Sequence, residues 1–150
     1  MLALLAFALF TFRITRSGLS GDEAYGASLA IRGLDAVLDV TRTGEPHPPL
    51  YYALLSLWIP LAGDSEFALR FLSVAAGTAL IPLIYHLGRL TVRGPAAIFA
   101  AAWTAVHPYH VWYAQEARMY LPFALFSTLS MVLFIHLQSR PRRTLAIAYT

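Results

Sequence analysis

Residues 67–90 read FALRFLSVAAGTALIPLIYHLGRL. The ionisable side chains of this run, Arg70, His86 and Arg89, stand toward its two ends and its middle is apolar. A helix needs about 20 mostly apolar residues to cross the hydrocarbon core of a bilayer, so the run predicts a membrane span. Two later stretches, 95–112 and 119–137, meet the same condition, and none of the three has an ionisable group near its middle.

Composition points the same way. Hydrophobic residues make up 58% of the 150 and charged residues 13%, against roughly 45–50% and about 25% in an ordinary soluble domain. A water-soluble fold of this length cannot hide so much apolar surface, and the sequence predicts an all-α fold, a polytopic transmembrane helical bundle. The eleven basic residues are all arginines, scattered along the chain with a net charge of +3, which fits membrane orientation rather than nucleic acid. Cysteine is absent, which excludes disulfides, thiolate metal sites and cysteine nucleophiles.

The opening run 1–12 is apolar, with no basic stretch before it and no small-residue cleavage site after it. It fits a first span over about 1–14 better than a signal peptide. Residues 144–150 start a new apolar run after Arg140, Arg142 and Arg143, which predicts a further span and a chain that is the N-terminal part of a longer one. Between the first span and residue 67 lies a polar connection, 15–66. Its part 15–49 holds five of the eight acids, with Gly21, Gly26, Gly33, Gly44 and three prolines marking turns around a short helix. Leu29, Leu34, Val37 and Leu38 give that helix one apolar face and predict that it lies on the membrane surface. Residues 50–62 are apolar but too short to cross comfortably, and predict a tilted or re-entrant interfacial helix; a crossing there would move the acidic loop to the cytoplasm.

Arginine favours the cytoplasmic ends of spans. Placing Arg89 with Arg93, and Arg140 with Arg142 and Arg143, inside makes the spans at 67–90, 95–112 and 119–138 run inward, outward and inward. The connection 15–66 is then extracytoplasmic, and so is 107–120. Gly21-Asp22-Glu23, His47-Pro48-Pro49, Gly63-Asp64-Ser65-Glu66 and the run 107–120, HPYHVWYAQEARMY, gather on that one face. An active site at a membrane boundary has this distribution.

Asp22 and Glu23 are neighbours, so their side chains diverge and serve different tasks. One of them could act as general base toward an acceptor hydroxyl; acids at such a position also complement a helix N-terminus. Tyr109, Trp112 and Tyr113 fit the aromatic belt of a membrane interface, whereas Glu116 and Arg118 call for another account. An arginine on the outer face runs against the inward bias of positive charge. A phosphate ligand explains it through charge-assisted hydrogen bonds, and so does pairing with Glu116 or another acid. Arg70 poses the same choice, with snorkelling at a helix end as the plain alternative. His47 precedes two prolines that would aim its imidazole from a rigid turn, or it is an interfacial loop histidine. Asp35 and Asp39 share a helix face and read as solvated rather than as a metal pair, and Asp64 and Glu66 read as caps of the following helix. No Asp-x-Asp pair, phosphate-cradling glycine loop or His-Glu-x-x-His occurs, which argues against a soluble nucleotide-sugar enzyme.

Taken in order, Asp22-Glu23, His47-Pro-Pro-Leu-Tyr-Tyr52, the runs GDSEFALRF at 63–71 and PLIYHLGR at 82–89, and YAQEARMY at 113–120 resemble the GT-C superfamily of polytopic glycosyltransferases. The likeness is to the bacterial relatives of the protein O-mannosyltransferases and of the aminoarabinose transferase that modifies lipid A. Each motif is weak alone, and the ordered set covers nearly the whole chain. The resemblance implies a multi-pass protein of the bacterial inner membrane working in protein glycosylation or lipopolysaccharide modification of the cell envelope. Its donor would be a polyprenyl-phosphate sugar, its acceptor a hydroxyl of a lipid, glycan or protein, and the anomeric carbon would invert. Asp22 would be the catalytic base with Glu23 supporting it, and His47, Tyr52, Arg70, Tyr113, Glu116, Arg118 and Tyr120 would bind substrate, Arg70 near the donor phosphate or the acidic pair. Some relatives carry an aspartate near the position of Tyr120, which leaves the role of Glu116 open. No cofactor is firmly implied, and a divalent cation stays open. Membrane lipid is an expected partner and nucleic acid is not. The rival readings are a lipid or sugar transporter or flippase, and a noncatalytic membrane scaffold. Transporters place ionisable or broken-helix sites near the midplane, where this chain has Thr78, Trp103, Ser127 and Thr128, with Pro82 and Pro122 as potential breaks.

Overall fold

The computed structural model describes residues 1–44, 49–92 and 94–139. Among them every regular element is a helix: α1 (Leu2–Thr11), α2 (Gly21–Ile31), α3 (Leu34–Arg42), α4 (Pro49–Ala62), α5 (Glu66–Thr91), α6 (Pro95–Val106), α7 (Pro108–Ala114) and α8 (Tyr120–Ser139). The all-α expectation therefore holds. Among the described residues, α5 and the stretch 120–138 of α8 are long and apolar enough to cross a membrane, while α1, α4 and α6 are apolar but shorter.

The central element is α5, which packs against α1, α6 and α8. Phe10, Val74, Ile81, Ala101, Ala105 and Leu121 meet in the core so formed. Between helices in lipid the hydrophobic effect gives little drive, and close backbone approach through small residues takes its place. A Cβ on Gly88 would stand 2.9 Å from the Cα of Ala97, and one on Gly77 would overlap Leu121 and Phe10. The outward faces remain apolar: Leu4, Phe7, Phe99, Trp103, Phe123 and Met131 are all exposed, helix after helix, as a bilayer allows and water does not. Arg70 lies in the first turns of α5 and Arg89 in its last, roughly 28 Å apart along the axis, close to the thickness of a hydrocarbon core of about 30 Å. Arg93, Arg140, Arg142, Arg143, residues 144–150 and His47 fall outside the described residues.

Three expectations need correction. The run 95–112 does not form one helix. His107 is extended, with φ −63° and ψ 128°, the conformation that the ring of the following proline favours, and its Nδ1 accepts the N–H of Tyr109 at 3.3 Å to start α7. What remains as α6 is 12 residues long, about 18 Å of helix. The acidic connection holds two helices rather than one, parted at Gly33, whose φ of 91° suits glycine. Leu29 and Val37 are completely buried, while Leu34 and Leu38 are 41% and 44% exposed, so the apolar face anticipated for a single helix is divided. Ser65, and neither Asp64 nor Glu66, caps α5 by accepting the N–H of Ala68 at 3.2 Å; Glu66 sits in the first turn, where its charge complements the helix dipole.

These short helices form a second core over the start of α5, with Leu29, Val37, Tyr51, Tyr52, Leu55 and Leu69 at its centre. Trp58 fastens α4 to α5: its indole N–H donates to the Ala68 carbonyl at 2.8 Å, and its ring stacks on Phe71 at 6.0 Å.

The α5–α6 contact gives the first prediction. Gly88→Ala pushes a methyl into backbone that cannot rotate away, and is expected to cost about 1–3 kcal/mol of stability. Gly21→Ala, with nothing within 4 Å of its new methyl, should be neutral. Thermal unfolding in detergent compares the two, and an unshifted midpoint for Gly88→Ala would contradict the close approach.

Candidate active site

At the N-terminus of α2, Ser20 and Glu23 form a capping box. The Ser20 hydroxyl accepts the Glu23 N–H at 3.4 Å, and the Glu23 carboxylate accepts the Ser20 N–H at 2.9 Å, so two of the unpaired amides at the helix start are satisfied reciprocally. This box turns Glu23 inward. Its Oε1 accepts the Arg70 Nε–H at 2.9 Å and the Ala117 N–H at 2.7 Å, and its Oε2 accepts an Arg70 Nη2–H at 3.1 Å. One carboxylate thereby joins α2, α5 and the turn between α7 and α8.

Arg70 completes the arrangement from the other side. Besides Glu23 it donates to the carbonyls of Ile14, Ser17 and Gly18. A guanidinium has five N–H groups, and these contacts use all five. Both members of the pair are 2% exposed. Burial by itself would raise the Glu23 carboxyl, but hydrogen bonds from Arg70, Ala117 and Ser20, with the Arg70 charge, outweigh it and hold the group at about 2, against 4.5 for a free glutamate.

Asp22, one residue earlier, faces out. Its Oδ2 pairs with Nη1 of Arg118 at 2.8 Å, and the aspartate side chain is 75% exposed while that of Arg118 is 9% exposed. Arg118 is held by its backbone, because Ser73 of α5 donates its hydroxyl proton to the Arg118 carbonyl at 3.0 Å. The guanidinium also lies 5.6 Å from the ring centroid of Tyr120, a cation–π distance. Tyr120 in turn meets Tyr113 with ring centroids 4.4 Å apart, and Tyr113 stacks on Tyr109 at 6.2 Å. Glu116 accepts the indole N–H of Trp112 at 2.7 Å, so its partner is an aromatic rather than Arg118.

Of the residues singled out from sequence, the structure brings Asp22, Glu23, Arg70, Arg118, Tyr120 and Tyr113 to one end of the bundle, with Glu116 on its edge. Tyr52 is 4% exposed; its ring stands 3.0 Å from where a Cβ on Gly26 would be, inside the second core, and it interacts electrostatically with Arg118. Asp39 pairs with Arg42 at 3.4 Å on an exposed face. Among the described residues no three His, Asp or Glu side chains gather as metal ligands. Sequence reading missed Ser20, although Ser20-x-x-Glu23 is the capping-box signature. It also missed the loop carbonyls, Ser73, and Gln115, whose amide donates to the Leu9 and Phe12 carbonyls at the end of α1; none of these carries a motif.

Two grooves flank the cluster. One is almost entirely apolar and runs between α4, α5 and α8, lined by Tyr51, Leu54, Leu72, Pro122 and Phe126, with Met119 at its continuation. The other, about 360 Å³, is open and walled by Pro108, Tyr109, Trp112 and Tyr113.

A family model described as dolichyl-phosphate-mannose-protein mannosyltransferase matches residues 46–150. Neither the curated proteins nor the solved structures contain a match to the chain.

The buried pair sets a pH dependence. A carboxylate whose folded pKa is depressed stabilises the fold above its unfolded pKa and ceases to do so as pH falls through the folded value. Glu23 thus contributes about 3 kcal/mol at neutral pH, lost between pH 4.5 and 2. Unfolding in detergent across that window is expected to show a steeper loss for the native protein than for Glu23→Gln/Arg70→Met. Glu23→Gln alone, which strands the buried guanidinium, should cost about 3–5 kcal/mol at pH 7. Equal pH slopes for native and double variant would remove Glu23 as the titrating group.

Proposed function

The chain belongs to the dolichyl-phosphate-mannose-protein mannosyltransferase family, membrane glycosyltransferases of the GT-C type, and on that premise we propose that it moves a sugar from a polyprenyl-phosphate carrier to an acceptor hydroxyl at the extracytoplasmic face. The observation that carries this reading is the division of labour between two adjacent acids. Glu23 is buried and saturated, while Asp22 stands exposed with a cation behind it. The family match begins at residue 46, so the assignment of Asp22 rests on this geometry and on the resemblance of its motif.

Asp22 takes the proton of the acceptor hydroxyl as that oxygen bonds to the anomeric carbon. The bond from the anomeric carbon to the phosphate oxygen breaks on the opposite face, and polyprenyl phosphate leaves with the electron pair, so the configuration inverts. A base acting this way needs to be within hydrogen-bond reach of the proton it removes, and an exposed carboxylate can be approached. Arg118 orients Asp22, and its charge favours the phosphate as negative charge develops on the leaving oxygen. Arg70, with its donors already spent, acts as a positioning residue. It fixes Glu23, and through it the start of α2 on which Asp22 stands.

The surroundings suit a lipid-linked donor. The apolar groove between α4, α5 and α8 would take the first units of a polyprenyl chain in lipid, and it opens beside Met119, next to Arg118. The aromatic groove of Tyr109, Trp112 and Tyr113 presents ring faces for a sugar. Bacterial inner-membrane location and an acceptor on protein, glycan or lipid belong to the same proposal.

The test is sugar transfer from a radiolabelled polyprenyl-phosphate sugar in membranes carrying the complete protein. Asp22→Asn keeps the shape and removes the base, and is expected to lower transfer by about 10²-fold or more with donor binding retained. Undiminished transfer by the variant at matched expression would overturn the assignment of the base. Absence of transfer by the native protein over a panel of donors would overturn the proposed donor class.

A further inference from the structure

The segment that grips Arg70 has a second face. The carbonyls of Ile14, Ser17 and Gly18 are committed to the guanidinium, while Arg13, Arg16 and Ser17 are exposed. Arg13 holds a φ of 57°, a left-handed conformation that non-glycine residues keep only where the surroundings enforce it. The enforcement is visible here. The Arg70 contacts anchor the loop on its inner side, and Gln115 ties down the Leu9 and Phe12 carbonyls just before it.

Beside this loop lies a cavity of about 510 Å³ whose wall is Leu9, Phe12 and Val111 and whose rim is Arg13, Arg16 and Ser17. No acid lines it, and among the described residues neither arginine forms an ion pair. Two guanidinium groups without a counter-charge, over an apolar wall continuous with the exposed α1 face at Leu5 and Phe12, make an amphipathic receptor. Guanidinium groups favour phosphate oxygens through charge-assisted hydrogen bonds, and the wall favours a hydrocarbon chain.

We propose that this cavity binds an anionic phospholipid, with the phosphate diester between Arg13 and Arg16, the Ser17 hydroxyl donating to it, and an acyl chain along Leu9, Phe12 and Val111. A free phosphate would leave the apolar wall unused, and a zwitterionic lipid would bring its own cation to an already positive rim. Ile14 and Ser17 line the cavity and also give their carbonyls to Arg70, but Asp22 and Arg118 are not among its lining residues, and lipid binding is read without sugar transfer.

Native mass spectrometry of the complete protein in mild detergent tests it, with dioctanoyl-phosphatidylglycerol, dioctanoyl-phosphatidylcholine and inorganic phosphate added in turn. Phosphatidylglycerol should bind about tenfold or more tightly than phosphatidylcholine. Arg13→Gln/Arg16→Gln should abolish that preference, and Arg13→Lys/Arg16→Lys should keep most of it. Arg32→Gln/Arg42→Gln, which removes two exposed arginines outside the cavity, should leave it intact. Equal retention of the two lipids would overturn the proposal, as would an unchanged preference in the glutamine double variant or an equal loss from the Arg32/Arg42 pair. Displacement of the lipid by inorganic phosphate at matching concentration would also overturn it, by making the ligand a free anion. Circular dichroism confirms that each variant is folded; the Arg13 guanidinium lies 5.3 Å from the ring centroid of Phe12, a contact that the lysine variant keeps as a cation over the ring.

Discussion

Glu23 and Arg70, each 2% exposed, hold four pieces of chain together at one end of the bundle. A buried ion pair is expensive to desolvate and adds little stability over an apolar pair of the same volume. It becomes tolerable when every donor and acceptor is satisfied. Here the carboxylate accepts from Arg70, Ser20 and Ala117, and the guanidinium spends its remaining donors on three carbonyls of the loop after α1. What such a pair provides is definition. The loop after α1, the start of α2, the first turns of α5 and the turn before α8 have one mutual arrangement that satisfies the Glu23 carboxylate and the Arg70 guanidinium together.

That arrangement explains how two adjacent acids come to differ. Successive residues on an α-helix are turned by about 100°, so when the capping box directs Glu23 inward, Asp22 is directed out. The exposed acid meets Arg118, which is nearly buried and whose backbone is fixed by Ser73. An exposed ion pair on its own is worth little, but this one has a rigid cation, so the carboxylate is presented in one place without being closed off. Preorganisation of this kind is what a general base needs.

Much of this was legible in the sequence and some was not. The long apolar runs that became α5 and α8 were readable from length and composition alone, and adjacency was enough to show that Asp22 and Glu23 diverge. Proximity of Arg70 to the acidic pair came with the family resemblance and not from any local pattern, because 47 residues separate Arg70 from Glu23. The break at His107 was available in principle, since the residue before a proline avoids the helical region, but the apolar run around it outweighed the single proline. The halves of the acidic connection were misjudged because Leu29, Leu34, Val37 and Leu38 fit one helical face only if Gly33 continues the helix. The loop carbonyls that saturate Arg70 have no sequence signal, as any residue supplies a carbonyl and only the fold decides where it points.

Arg70 and Ser73 are three apart on α5 and so lie on one face of it. From that face Arg70 fixes Glu23 and the loop, and Ser73 fixes Arg118; one turn of one helix therefore governs Glu23 directly and Asp22 through Arg118. α5 is also the longest apolar helix among the described residues, with Arg89 near its far end. Its depth in a bilayer is set by its length and by where its polar ends find water. A substrate whose phosphate is confined to the headgroup layer has a fixed depth as well. For the donor proposed above, tying the exposed carboxylate and its cation to the first turns of α5 through Arg70 and Ser73 would hold them at the depth of its phosphate. The saturated ion pair is what makes that mounting rigid, and for that reason a costly buried charge is better placed here than an apolar pair that would pack as well and orient nothing.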